Sequence, residues 1–264
     1  MFPLKDDIPT RRFPIVTVVI IAINVIVFFG FQVNSISLDG TDLKQDVVVK
    51  YAAIPYEITH PGDECGVTQT GEVACQGQPG VPADAQAPPQ PPTILTIFFA
   101  MFMHGGLLHI GGNMLFLWVF GNNVEDAMGR VKFVVFYLLG GIAAMALQIA
   151  VGANETVPSV GASGAVAAVL GGYLLLYPRA RVLTLVFLFI FFTFIQIPAM
   201  FFLVIWFGQQ LLFGYLDYAE PTGGGGGGVA YFAHIGGFLF GLLAIKAFAS
   251  RYNPDYDRPR FPVY

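Results

Sequence analysis

Charge is scarce in this sequence: 13 Lys and Arg and 17 Asp and Glu among 264 residues, 11% in all, against about 25% in an ordinary soluble domain. That scarcity excludes a normal water-soluble fold. With a net charge of −4 there is no basic stripe to neutralise phosphates, which excludes nucleic acid as a partner. The glycine run at 223–228 lacks the Lys-Ser/Thr ending and preceding strand of a phosphate loop, so it reads as a flexible loop. No internal repeat is evident, which disfavours a small transporter built from paired broken helices. The basic pair Arg11 and Arg12 precedes an apolar run, but no small-residue cleavage site follows near Gln32, so that run is expected to be a retained span rather than a signal peptide.

What the chain has in quantity is apolar sequence: 55% of it is hydrophobic and the mean hydropathy is +0.67. Runs of about 18 residues suffice to cross a bilayer. Six candidate spans emerge, near 14–33, 107–126, 131–151, 161–177, 198–216 and 229–249. The stretch 182–216 is too long for one crossing and is split by Pro198; its first half, "VLTLVFLFIFFTFIQI", is either a seventh span or a membrane-embedded connection. Lys and Arg accumulate on the cytoplasmic side of a membrane protein. Six spans put Lys5, Arg11, Arg12, Arg130, Lys132, Arg179, Arg181, Lys246, Arg251, Arg258 and Arg260 on one side and only Lys44 and Lys50 on the other. A seventh span would spoil that separation, so a connection is favoured and both termini are expected in the cytoplasm. The segment 34–95 is then an extracytoplasmic loop carrying Cys65, Cys75 and a proline-rich linker. The two cysteines are either a disulfide or a pair of free thiols.

A polar group at membrane depth is expensive and therefore a functional candidate. His104, His109 and Asn113 lie at the start of the second span, Ser163 at the start of the fourth and His234 just inside the sixth. The topology drawn from charge brings them to one depth on one side. Gly164, Ala168 and Gly172 on one span, and Gly237 and Gly241 on another, are stripes that let helices approach closely. A serine hydroxyl becomes a nucleophile when a neighbouring base takes its proton, and histidine is the usual base. Ser163 and His234 suit those roles, and His109, Asn113 and the Ser163 amide suit an oxyanion hole. The plainer alternative for a serine between glycines is helix packing. Zinc is a poor match, because His-x4-His comes without a nearby acidic or cysteine ligand. Asn24, Gln148, Gln209 and Gln210 are expected to be interhelical hydrogen-bonding groups.

Three motifs, "HGGLLHIGGN" followed by "GNNVEDAMGR", "GASG" and "AHIGGFLFG", in this order on these spans, resemble the rhomboid intramembrane serine proteases. The resemblance implies an all-α polytopic membrane protein with a six-transmembrane-helix bundle. It implies Ser163 as nucleophile, His234 as general base, and His109 and Asn113 in the oxyanion hole. His104, Gly161 and Glu125 would support the site, and Phe201, Phe202 and Trp206 on the fifth span would gate it. The expected layout is a cytoplasmic segment 1–13, a first helix 14–33, the loop 34–95, a catalytic core 96–250 and a cytoplasmic tail 251–264. The partners would be transmembrane protein substrates and membrane lipid, with no nucleic acid, no metal and no cofactor, in a bacterial cell membrane. Relatives often place an aromatic one turn after the serine to support the histidine; here that position is Ala167, so something else must orient His234. The rival function is an inactive rhomboid-like protein that binds transmembrane helices.

Overall fold

The computed structural model describes residues 2–37, 40–68, 71–81, 87, 89–188, 191–219 and 228–250. The chain begins with β1 (Phe2–Asp6) and α1 (Ile15–Val27), which continues through a wider π-turn at Phe28–Gln32. Next come β2 (Val33–Ser37), β3 (Gly40–Leu43), α2 (Gln45–Tyr51), α3 (Pro55–Thr59), β4 (Cys65–Val67) and β5 (Val73–Cys75). After α4 (Thr93–Ala100), a second helical run joins α5 (Leu107–Phe116), a π segment at Leu117–Gly121 and α6 (Asn122–Met128). Then follow α7 (Arg130–Val151), α8 (Ser163–Leu176), β6 (Arg181–Leu188), β7 (Phe191–Pro198), α9 (Ala199–Ala219) and α10 (Tyr231–Phe248).

Four helical segments, Ile15–Gln32, Arg130–Val151, Ala199–Ala219 and Tyr231–Phe248, are long and apolar enough to cross a membrane. In such segments the helix is dictated by the solvent: without water, every backbone N–H and C=O must be satisfied internally. That requirement overrides the weak helix preference of the β-branched run in α1.

The fold is mostly helical but not all-α, which corrects the expectation. The connection from α8 to α9 is built of strands and contains no helix of membrane-crossing length among its described residues. β6 and β7 pair as an antiparallel hairpin, Val182 against Ile197 and Leu185 against Phe194, and β1 joins the other edge of β6. Aromatic and β-branched residues favour strands wherever a partner can take the backbone bonds, and β1 together with the returning strand supplies those partners.

α8 is the centre of the bundle, with every residue from Gly164 to Tyr173 buried. Its small residues put backbones in contact. A Cβ added at Gly237 of α10 would overlap the Gly164 carbonyl oxygen, and one at Gly241 would overlap that of Ala168. On the other side of α8, a Cβ at Gly140 of α7 would meet Ala168 Cβ at 2.5 Å.

Glu125 secures the first helix from within α6. Its carboxylate accepts hydrogen bonds from the Val16 N–H at 3.1 Å and from the Thr17 N–H and hydroxyl at 2.8 Å each, and it is buried. These are donors that the first turn of a helix cannot satisfy, and the negative charge suits that end of the dipole. Glu125→Ala should therefore lower stability by about 3 kcal/mol, read as a fall in melting temperature in detergent, while Glu125→Gln, which keeps one acceptor oxygen, should fall less.

On the same face, Asp6 Oδ2 accepts the Tyr173 hydroxyl at 2.6 Å and the Asn123 amide at 2.7 Å, fastening β1 to the bundle. Burial pushes the Asp6 carboxyl up from 3.8 to about 6, against the opposing pull of the Tyr173 and Asn123 hydrogen bonds. A raised carboxyl stabilises the fold while protonated: the contribution is complete below about pH 4 and is lost as pH rises through about 6. The melting temperature should fall across that window, and Asp6→Asn should remove the slope.

The segment between α1 and α4 has a small core of its own. Val49, Ile54 and Tyr56 pack with Cys65 and Cys75, which are joined in a disulfide across β4 and β5. Buried Glu57 accepts the Cys65 N–H at 2.6 Å. Ala53 and Ser159 exchange backbone bonds of 3.1 and 2.9 Å, tying this unit to the turn that leads into α8.

Candidate active site

The starts of α5, α8 and α10 converge on one face of the bundle. They surround a cavity of about 660 Å³ lined by His109, Asn113, Ser163, Trp206 and His234, among others. All four residues expected to do chemistry therefore open onto one space, although 125 positions separate the first from the last. The unit between α1 and α4 contributes Gln45, Val48 and Val73 to the same cavity.

Ser163 is the first residue of α8 and half-buried. The opening N–H groups of a helix, its own included, have no intrahelical acceptor, so the backbone here presents donors beside the hydroxyl. Gly161, two residues earlier, has φ +138°, a conformation that favours glycine. Any side chain there would also fill the site: an added Cβ would lie 2.9 Å from His109 Nε2 and 3.3 Å from Ser163 Oγ.

His109 Nδ1 accepts the Gly105 N–H at 3.1 Å. In the neutral ring the hydrogen is then on Nε2, the nitrogen beside the Gly161 and Ser163 space, so His109 is a donor there. Asn113, four residues on, gives one amide hydrogen to the His109 carbonyl at 3.0 Å; its second hydrogen is the one left for the cavity.

His104 is fully buried, 5.2 Å from the His109 ring in an edge contact. The Gln32 side chain clasps its backbone, accepting the His104 N–H at 2.9 Å and donating to its carbonyl at 3.2 Å. The end of the first helix thereby holds the loop entering α5.

The three gate candidates fall in different settings. Phe201 is exposed on the outer side of α9. Phe202 is buried against Phe116 and Phe120, each with ring centroids 6.0 Å away. Trp206 lies beside His234 at 5.9 Å and lines the cavity. Phe116, not singled out from sequence, also lines the cavity. The loop 220–227 after α9, which carries most of the glycine run read as a flexible loop, lies outside the described residues, as does the tail 251–264.

The polar residues expected to link helices divide. Gln148 does so, accepting the Ala233 N–H at 3.1 Å from α7. Gln210 on α9 reaches His234 on α10, Oε1 to Nδ1, at 2.7 Å. Asn24 donates to the Ile20 carbonyl of its own helix and also interacts with Tyr137 on α7, and Gln209 is exposed. Among the described residues no cluster of three or more His, Cys, Asp or Glu is arranged to hold a metal ion.

A hydroxyl and two imidazoles line one cavity in a bundle that has four helical segments of membrane-crossing length, which is the class of a polytopic membrane protein. The chain matches the family described as Rhomboid domain over residues 91–251, and it belongs to that family. It is similar to Rhomboid protein 1, mitochondrial, of Saccharomyces cerevisiae, 34% identical over 153 residues, covering 52% of this chain and 40% of that protein. It is also similar to the presenilin-associated rhomboid-like proteins, mitochondrial, of Mus musculus and Homo sapiens. Each is 29% identical, covering 56% and 55% of this chain and 37% and 36% of those proteins. The chain thus spans about two fifths of the length of these curated relatives. All of them are mitochondrial by name, which overturns the expected bacterial cell membrane. Charge bias along a sequence reports which side of a membrane a loop prefers and carries no information on which membrane it is.

Proposed function

We propose that this protein is an intramembrane serine endopeptidase that cuts the transmembrane segments of membrane proteins with a Ser163–His234 dyad. The observation that carries this reading is the convergence of Ser163, His234, His109 and Asn113 on one cavity within a rhomboid family member. Ser163 Oγ attacks the scissile carbonyl carbon as His234 takes its proton. His109 Nε2–H, Asn113 and the Ser163 N–H receive the oxyanion. His234 then returns the proton to the departing amine.

The reading counts six crossings by adding the runs Leu107–Met128 and Ser163–Leu176 to the four long segments. α8 is short because it begins at the floor of the cavity instead of at the surface. Residues 96–250 are the catalytic unit, and Val48 and Val73 of the preceding segment form part of the cavity wall. Phe202, wedged against Phe116 and Phe120, is the gate position best placed between α9 and the α5 run. His104, Gly161 and Glu125 keep the loop, the turn and the first helix in register with the site.

Fluorophosphonate labelling of the purified protein in detergent tests the reading without a known substrate. Wild type should label, and Ser163→Ala and His234→Ala should not. An unlabelled, folded wild type would instead favour a rhomboid-like protein that only binds transmembrane helices.

A further inference from the structure

A histidine that takes a proton from serine must present an unprotonated ring nitrogen, and the partner of the other nitrogen decides which one that is. His234 Nδ1 meets Gln210 Oε1 at 2.7 Å. An amide has two ends of nearly equal shape, so its other contact must fix the direction of this bond. That contact is the Trp206 backbone carbonyl, 3.3 Å from Gln210 Nε2 and one turn earlier on α9. A carbonyl only accepts, so the amino end of Gln210 faces Trp206 and its oxygen faces the ring. That oxygen in turn only accepts, so His234 Nδ1 carries the hydrogen and Nε2 keeps its lone pair.

His109, on the opposite wall, is held the other way round. A backbone N–H donates to its Nδ1 at 3.1 Å, which places the hydrogen on Nε2. One cavity thus holds two imidazoles in complementary tautomers, one an acceptor and one a donor. Gln210 is buried, so water does not compete for the bond.

We infer that Gln210 is the positioning residue of the site, holding His234 in the tautomer and orientation that let Nε2 accept the Ser163 proton. It rests on the serine-protease reading. In the step itself, the Ser163 oxygen forms a bond to the substrate carbonyl carbon, the carbonyl electron pair moves onto oxygen, and the hydroxyl proton passes to His234 Nε2. The imidazolium so formed donates to Gln210 through Nδ1 more strongly than the neutral ring does, so the contact tightens as charge develops. A carboxylate in this place would bring a full charge into the bundle, whereas the amide orients the ring without one. Trp206, its centroid 5.9 Å from that of His234, and Tyr231, edge-on at 6.5 Å, supply the packing that Ala167 is too small to give. His109 on α5 and Tyr231 on α10 are the titratable groups facing His234; Gln210 and Trp206 on α9 and Ser163 on α8 add no charge.

The test measures the rate of fluorophosphonate labelling against pH for wild type, Gln210→Leu and Gln210→Glu, with melting temperatures alongside. Gln210→Leu should label roughly 10- to 100-fold more slowly. Gln210→Glu should recover most of the rate and move the acid limb of the pH profile to higher pH, because a carboxylate favours the imidazolium. A residue that merely packs would not move that limb. Wild-type labelling with an unchanged rate and profile in Gln210→Leu overturns the inference alone. Absence of wild-type labelling overturns the serine reading and takes this inference with it. If Gln210→Leu does not fold, Gln210→Glu decides: an unshifted acid limb overturns the inference.

Discussion

Replacing Ser163 with alanine is expected to lower the rate of cleavage of a single-span substrate in liposomes by roughly 10⁴-fold or more, with His234→Ala close behind. The two losses should not multiply. Nucleophile and base act in one step, so once the hydroxyl is gone the imidazole has no proton to take, and the double variant should be no slower than the slower single variant. What activity remains would come from the donors around the cavity, His109, Asn113 and the start of α8, acting on a water molecule. Rates that multiply in the double variant would mean that the two residues act independently, and a Ser163→Ala protein with more than a tenth of wild-type activity would remove the nucleophile from the mechanism. Melting temperatures should barely move, since both side chains are half-buried around a cavity and neither fills the core.

The convergence of His109, Asn113, Ser163 and His234 on one cavity was legible in the sequence because the charge pattern put their stretches of helix at one depth. Depth can be counted along the chain. The helix contacts were legible too: small residues repeated every four positions on α8 and α10 do bring backbones together, Gly237 onto Gly164 and Gly241 onto Ala168. Partner choice was not legible. Gln210 was visible as a polar residue in an apolar helix, but its neighbour Gln209 was equally visible and faces outward. Only the rotation of α9 distinguishes them, and an apolar run facing both lipid and protein leaves that rotation unmarked. The carboxylate of Glu125 likewise gives no sign that it serves a helix 108 residues away.

The strands within 182–197 were not foreseen, for a different reason. Hydropathy and length measure whether a segment tolerates lipid, and the run passes both tests. They do not measure whether its backbone bonds close within the segment or across to another. The aromatic and β-branched composition pointed toward strands, and β1, close to the start of the chain, was the partner that no local window could supply. The membrane itself was misjudged because side and compartment are separate properties, and Lys and Arg report only the first.

The proposed dyad would depend on a contact in which neither member takes part. Gly237 is one turn beyond His234, and a Cβ there would overlap the carbonyl oxygen of Gly164, the residue after Ser163. Gly237→Ala therefore pushes α10 off α8 at the level of the chemistry. Neither obstacle is a flexible side chain: the nearest atoms are the Gly164 carbonyl oxygen and carbon, with Ala167 Cβ at 3.3 Å. Overpacking of this kind costs about 1–3 kcal/mol, too little to unfold a bundle of this size, so the variant should still purify as a folded protein. Activity should suffer more than stability, because a displacement of about 1 Å between reacting groups is worth roughly 10²-fold in rate. Gly208→Ala on α9 is the matched control: nothing lies within 4 Å of its added Cβ, and alanine is the better helix former. It should keep full activity and lose no stability. A Gly237→Ala protein that cleaves at the wild-type rate would show that α10 can shift without moving His234 relative to Ser163, and that the backbone contact between the two helices does not set their distance.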